Sequence, residues 1–244
     1  MDVATHWKAA LTGEPESAAL RDAGATPVRD IPRDAVTGLI LAGGRAARMG
    51  GLDKGLQRLG GVPLVMHVLR RFAPQVGEVI ISANRNFSEY RSFGVPVRPD
   101  SDPAAFDGPL AGILAGLRHC RTPYLLVAPC DCPMIPPGFA AGMARRLLWD
   151  NADLVLARIA GRTHPVLCMM RTRVLSSLQR FLESGGRSVY GWSDCLSTTF
   201  ADFEDPLPFF NLNTLDDLRL AELVLGGSQP VIASEAARAP GEKL

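Results

Sequence analysis

Residues 36–56 read VTGLILAGGRAARMGGLDKGL. Val36 to Ala42 form a short apolar run that stops at Gly43-Gly44, the pattern of a strand buried on both faces of a parallel sheet. A second glycine pair follows at Gly50-Gly51, with Arg48 before it and Lys54 after it. Glycines let backbone N–H groups approach phosphate oxygens with no Cβ in the way. Arg48 can offer a planar fork and Lys54 a mobile point charge. A glycine-rich loop after a strand is by itself only a turn, but two spaced cations on it favour a phosphate cradle. The stretch lacks the GxGxxG spacing of dinucleotide binders. Lys54 is followed by Gly55 rather than Ser or Thr, so the kinase-type P-loop is excluded as well.

Strand and helix patterns alternate outward from this loop. Pro63 opens an amphipathic stretch through Phe72, and Glu78 to Ala83 and Val95 to Arg98 read as strands. Pro109 opens a helix through Leu117, and Pro123 to Ala128 is a strand running into Pro129-Cys130-Asp131-Cys132-Pro133. A helix over Pro137 to Leu148, strands over Ala152 to Arg158 and His164 to Met170, and a helix over Arg171 to Glu183 follow. Thr214 caps a last helix, Leu215 to Leu225, with Asp216 and Asp217 at its positive end. The alternation predicts an α/β fold: a mostly parallel twisted sheet with helices on both faces, in three layers. The folded domain spans 36–225, with a flexible extension at 1–35 and a flexible tail at 226–244. Ligands of such folds bind beyond the carboxyl ends of the strands, which points to segments 43–54, 98–109 and 129–135.

Bulk properties narrow the function classes. The 244 residues are 47% hydrophobic and 21% charged with a formal net charge of +1, which argues against a nucleic-acid binder and requires any phosphate site to be local. The five cysteines form no CxxC pair, so neither a disulfide framework nor a zinc ribbon is expected; Cys130 and Cys132 read as small half-buried thiols at a strand end. No apolar run reaches membrane-spanning length, and the N-terminus lacks the apolar core of a secretory signal. These features predict a cytoplasmic protein with no membrane partner.

Within the three segments, Asp131 is the sharpest candidate. A carboxylate at the end of a buried strand, stiffened by prolines, is placed to hold Mg²⁺, which takes few protein carboxylates and completes its shell with water and phosphate oxygens. Asp100 alone would read as a turn or cap residue after Pro99. In the extended stretch Asn211-Leu212-Asn213, alternation sends both asparagines to one side. His67, among apolar residues on a helix, reads as packing.

LAGGRAARMGGLDKGL resembles the signature loop of nucleotidyltransferases that attach a nucleoside monophosphate to a phosphorylated acceptor, LA-[AG]-G-x-x-x-R-M-G with a lysine shortly after. Within that group LAGG followed by RMGG-x-DK is similar to the molybdenum cofactor guanylyltransferases, and the likeness extends from about Gly38 to Leu225. The resemblance implies that Leu41, Ala42, Gly43, Gly44 and Lys54 bind the nucleotide and that Arg48, Lys54 and Asp131 are catalytic. It implies that Asp131 is the magnesium ligand and that Asp100 contacts the nucleotide, through the base or the ribose hydroxyls. Ser82-Ala83-Asn84-Arg85 is similar to the family's N-A-N-R but starts on Ser82, a shorter-reaching nucleotide contact. Asn211 and Asn213 match N-x-N-T and would support the metal, the acceptor phosphate or the lead-in to the last helix. His164, in His164-Pro165, and Arg187 would lie on the acceptor side. The implied reaction moves GMP from GTP to the terminal phosphate of molybdopterin, with or without molybdenum, and releases pyrophosphate. GTP, molybdopterin and Mg²⁺ are the implied ligands, with molybdoenzyme apoproteins or their chaperones as further partners. Two other readings fit the same loop: a cytidylyltransferase for molybdopterin or a sugar or polyol phosphate, disfavoured by Gly44, and a non-catalytic GTP-binding cofactor chaperone.

Overall fold

The computed structural model describes residues 30–44, 52–100 and 108–226. Its strands are β1 (Val36–Leu41), β2 (Arg58–Leu59), β3 (Val62–Pro63), β4 (Glu78–Ser82), β5 (Val97–Arg98), β6 (Tyr124–Pro129), β7 (Leu154–Ile159), β8 (Arg162–Arg171) and β9 (Thr198–Phe203). Its α-helices are α1 (Leu64–Phe72), α2 (Phe87–Arg91), α3 (Pro109–His119), α4 (Phe139–Trp149), α5 (Leu175–Glu183), α6 (Val189–Ser193) and α7 (Leu215–Gly226). Seven strands form one sheet in the order β5-β4-β1-β6-β8-β7-β9, and β2 and β3 make a separate two-stranded ribbon. All pairings in the large sheet are parallel except those of β8, which runs antiparallel to both β6 and β7. The sheet is thus mostly parallel, as the alternation implied.

Strand periodicity sorts the core into two layers. Val36 and Ile40 of β1, Val79 and Ile81 of β4 and Leu126 and Ala128 of β6 face Val65, Val68 and Phe72 of α1 and Met143 and Leu147 of α4. Leu39, Ile80, Leu125 and Val127 face Ile113 and Leu117 of α3, Leu178 of α5 and Trp192 of α6. Gly112 lets α3 lie close on the sheet: a Cβ there would stand 2.7 Å from Leu41 and 2.9 Å from Ser82 Oγ. A third cluster, Leu59, Leu64, Met134, Leu212, Leu218 and Ala221, ties the ribbon to α7. Thr214 caps α7 as anticipated: its Oγ1 accepts from Asp217 N at 3.0 Å while Asp217 Oδ2 accepts from Thr214 N at 2.8 Å, a reciprocal box.

Several elements differ from expectation. β5 holds only Val97 and Arg98, because it pairs with β4 through just two residues at the sheet edge. Residues 172–174 form a separate 3-10 turn before α5. The ribbon, α2, α6 and β9 carry little hydrophobic periodicity and were not anticipated. Arg33–Ala35 makes a 3-10 turn against Gly77, whose added Cβ would lie 2.8 Å from Asp34. Among the described residues no helix is long and apolar enough to cross a membrane.

Candidate functional site

β1 leads out to β4 and β5 on one side, and the chain returns to β6 on the other. The switch point therefore lies between the carboxyl ends of β1 and β6, where an open α/β sheet offers a ligand crevice. Two backbone bonds define that edge: Ala42 N donates to Ser82 O at 2.8 Å, and Cys130 N donates to Leu41 O at 3.0 Å. Leu41, Ala42, Gly43 and Gly44 leave β1 here. Gly44 is exposed, and a Cβ added to it would meet nothing within 4 Å. Arg48 and the segment after Asp100 lie outside the described residues.

Asp131 sits just past β6 with its carboxylate turned into this crevice. Lys54 Nζ donates to Asp131 Oδ2, and also to Asn213 Oδ1 at 2.6 Å. Residues far apart in sequence thus converge on one ammonium, with side-chain exposure of 20% for Lys54 and 11% for Asp131. An ammonium has three donors, so two are held and one remains for an incoming anion. Asp131 Oδ1 is buried and has no hydrogen-bond partner. An unsatisfied buried carboxylate oxygen is costly and is the kind of exception that marks a missing ligand. Among the described residues no cluster of three or more His, Cys, Asp or Glu side chains could cage a metal. A single carboxylate oxygen suits magnesium, which relies on water and phosphate for the remaining positions.

Asp131 is held from behind. Leu212 N donates to its backbone carbonyl at 3.0 Å, and Leu212 itself is fully buried. The neighbouring Asn211 and Asn213 face the crevice: Asn211 Oδ1 accepts from the Cys132 thiol at 2.9 Å, and Asn213 reaches Lys54. Both asparagines therefore lie on one side, as alternation predicts. Cys130 and Cys132 are buried, not half-buried, at 5% and 0% exposure. Burial first, and the negative charge of Asp131 second, push both thiols above their ordinary range, so they serve as packing and weak donors, not thiolate ligands.

A second polar cluster lies one strand over. Ser82 Oγ donates to Asp100 Oδ1 at 3.2 Å, Asn84 Nδ2 donates to Asp100 Oδ2 at 2.7 Å, and Asp100 N donates to Asn84 Oδ1 at 2.9 Å. Asp100 is 7% exposed and fixed before any ligand arrives. The shorter Ser82 still reaches it. Asn84 also borders the loop, since a Cβ on Gly43 would stand 3.1 Å from its amide.

A third cluster escaped the sequence reading. Asp53, buried at 7%, accepts from Tyr90 Oη at 2.5 Å and Gly55 N at 3.2 Å through Oδ1, and from Asn86 Nδ2 at 2.8 Å through Oδ2. Arg85 Nε lies 3.5 Å from the same Oδ2. Burial, then Cys130 and Asp53 beside it, hold the Tyr90 hydroxyl far above the ordinary phenol range, so it remains a donor.

The residues expected on the acceptor side, His164 and Arg187, belong to other elements, His164 to β8 and Arg187 to the loop after α5. The β7–β8 hairpin extends past the carboxyl end of β6, because Val127 pairs with Cys168 and β8 begins at Arg162. Its register breaks between Leu156 and Ala157, whose partners are Cys168 and His164, so Pro165 sits in a bulge where no ladder donor is needed. His164 is half-buried, and desolvation, with Arg162 a second cause, lowers its pKa. Arg187 donates to Leu182 O at 2.9 Å and Gly186 O at 2.7 Å, closing the end of α5. His67 is packing, its Nε2 2.9 Å from Leu59 O.

The MobA-like NTP transferase domain family matches residues 38–196. The molybdenum cofactor guanylyltransferase of Acidovorax sp. (strain JS42) is 47% identical over 201 residues, covering 77% of this chain and 95% of the relative. That of Cupriavidus taiwanensis is 49% identical over 197 residues, covering 79% and 98%. Among solved structures, molybdopterin-guanine dinucleotide biosynthesis protein A of Archaeoglobus fulgidus superimposes with a TM-score of 0.65 at 22% identity, covering 78% of this chain and 99% of that one, a likeness of fold.

Proposed function

Since this chain belongs to the molybdenum cofactor guanylyltransferase family, we propose that it transfers GMP from GTP to the terminal phosphate of molybdopterin in a magnesium-dependent reaction. The observation that carries the reading is the Lys54–Asp131–Asn213 constellation at the sheet's switch point, with one oxygen of Asp131 buried and unpartnered. Asp131 would hold the magnesium ion, which when bound neutralises charge on the triphosphate. The backbone at the half-buried Gly43 and the exposed Gly44, with Arg48, would cradle the phosphates, and the third donor of Lys54 would meet the oxygens that gather charge as pyrophosphate leaves. Ser82, Asn84 and Asp100 form a pre-set acceptor and donor group for the nucleoside. Asp100 can accept from guanine or from ribose.

The reaction is a displacement at the α-phosphorus. A terminal phosphate oxygen of the acceptor forms a new P–O bond there as the bond to the β-phosphate breaks, and pyrophosphate carries off the released electron pair. The attacking phosphate is already anionic at neutral pH, so positioning and charge neutralisation suffice and no general base is called for. A methyl at position 44 would find open space in the protein, so any demand for Gly44 would come from the ligand and fits a purine close to the loop. The reading carries a cytoplasmic setting, in keeping with the free state of all five cysteines. Product transfer to molybdoenzymes or their chaperones would follow.

The test is incubation with Mg²⁺, molybdopterin and either GTP or CTP, with the dinucleotide identified by mass and pyrophosphate counted. A guanine dinucleotide formed only when Mg²⁺ is present is the expected outcome. A preference for CTP would reassign the base, and GTP binding without turnover would make the protein a carrier.

A further inference from the structure

Asp53 has more partners than a turn requires. It is the N-cap of the 3-10 turn Lys54–Leu56, and Gly55 N alone would satisfy that role. Tyr90, fully buried on α2, spends its hydroxyl on Asp53 Oδ1, and Asn86 adopts a left-handed backbone, φ 51°, at the start of the same helix while its amide grips Oδ2. Asn tolerates that conformation better than most residues, at some cost. Gly55 completes the fit: a Cβ there would stand 2.4 Å from Tyr90 Oη. Gln57 Nε2 adds a bond to the Asp53 carbonyl at 3.0 Å. A helix and a turn are therefore clamped onto one carboxylate, and the next residue along the chain is Lys54.

We infer that Asp53 is the positioning residue of Lys54. A lysine side chain has many rotamers, and holding its ammonium between Asp131 and Asn213 needs a fixed Cα from which to reach. The Asp53 clamp supplies it. Tyr90, Asn86 and Arg85 thus act on the phosphate site through Asp53, without facing it. Both carboxylate oxygens of the buried Asp53 already accept from the protein, which separates its role from that of Asp131, whose Oδ1 has no partner. The functional consequence rests on the transferase reading above; the geometric one does not.

The experiment is a cycle of wild type, Asp53→Asn, Lys54→Met and the double variant, read by kcat/KM for GTP and by ¹⁵N NMR of the Lys54 ammonium without substrate. Asp53→Asn should lower kcat/KM by about 10- to 100-fold, since a displacement near 1 Å has that cost. The double variant should be no worse than Lys54→Met alone, because Asp53 acts through a group already removed. A double variant worse by the product of the two losses overturns the inference, as it makes Asp53 a general structural residue. In the NMR arm, the Lys54 ammonium should be protected in the wild type and exchange freely in Asp53→Asn; unchanged protection also overturns it. Should Asp53→Asn fail to fold, Tyr90→Phe removes one hydroxyl from the same clamp and should give the same two signatures at smaller size. If wild type shows no turnover with GTP or CTP, the transferase reading fails, and the NMR arm alone decides the role of Asp53.

Discussion

The two halves of the carboxyl edge are built differently. From β5 to β6 the strands are parallel, the carboxylates of Asp100 and Asp131 are buried, and the polar side chains at the edge are held by one another: Asp100 by Ser82 and Asn84, Lys54 by Asp131 and Asn213, Asn211 by Cys132. Beyond β6 the sheet reverses through β8, and the edge becomes a bulged hairpin with a half-buried His164, while Arg187, just past α5, donates to carbonyls of its own loop. The first half is organised before a ligand binds, which is what electrostatic stabilisation of a developing charge demands. In the second, among the described residues, the His164 ring makes no hydrogen bond. A donor nucleotide with fixed geometry suits the first half, and a bulky acceptor presented by its phosphate suits the second.

The sharpest way to break this comparison is Asp131→Asn. The exchange keeps the volume, removes the charge and replaces one acceptor oxygen with a donor. Because Oδ1 has no partner and an amide oxygen in the place of Oδ2 can still accept from Lys54, the fold should lose only the charge part of that ion pair, while kcat/KM for nucleotide transfer should fall about 10³-fold, as for loss of a main transition-state group. Steady-state pyrophosphate release together with a melting curve checks both halves of the statement. A variant that remains active removes Asp131 from the chemistry; one that unfolds makes it structural.

A smaller effect should follow at Asp100. Its oxygens accept from Ser82 and Asn84 and its backbone N–H is paired to Asn84, so the cluster is rigid and lies a strand away from the Lys54–Asp131 pair. A contact to base or ribose is the same in the ground and transition states, so its loss should raise KM for GTP with kcat nearly unchanged. Asp100→Ala is expected to raise that KM about tenfold, the size of one charge-assisted hydrogen bond. Initial rates over a range of GTP concentrations separate the two parameters. An equal fall in kcat would place Asp100 among the groups that act on the transition state.

The same division runs through what could be read from the sequence. Asp100 stood out only through the family resemblance. β1 and β6 are apolar runs ended by glycine or proline, so these strands and the placing of Lys54 and Asp131 beyond them were legible from residue type and order. The meeting of Lys54 with Asp131 and Asn213 was not, since it depends on how α7 and the ribbon close over the edge through Leu59, Leu212 and Leu218. Asp53 was missed because its partners Asn86 and Tyr90 lie 33 and 37 residues on, and a carboxylate in a glycine-rich loop reads locally as a cap. β9 was missed because Asp202 interrupts its pattern; Arg158 of the neighbouring strand answers it with paired bonds at 2.5 and 2.8 Å.

The smallest effect is expected at His164, and its pH dependence tests whether the hairpin contributes charge. Desolvation, with Arg162 beside it, lowers its pKa below the ordinary 6.5, so the ring is neutral at pH 7 and above and gains a proton only on acidification past that value. A neutral imidazole can hydrogen-bond an acceptor phosphate but brings no net charge to it. His164→Gln, which keeps a donor, should therefore change KM for molybdopterin by at most about threefold between pH 7 and 8, within the range of one neutral hydrogen bond. Below pH 6.5 the wild type alone can gain the extra attraction, so the two pH profiles should coincide at neutral pH and separate only on the acid side. Profiles that already diverge by tenfold at pH 8 would mean that His164 holds the acceptor without charge and far more tightly than its setting suggests. The hairpin half would then be as strongly organised as the half that carries Asp131.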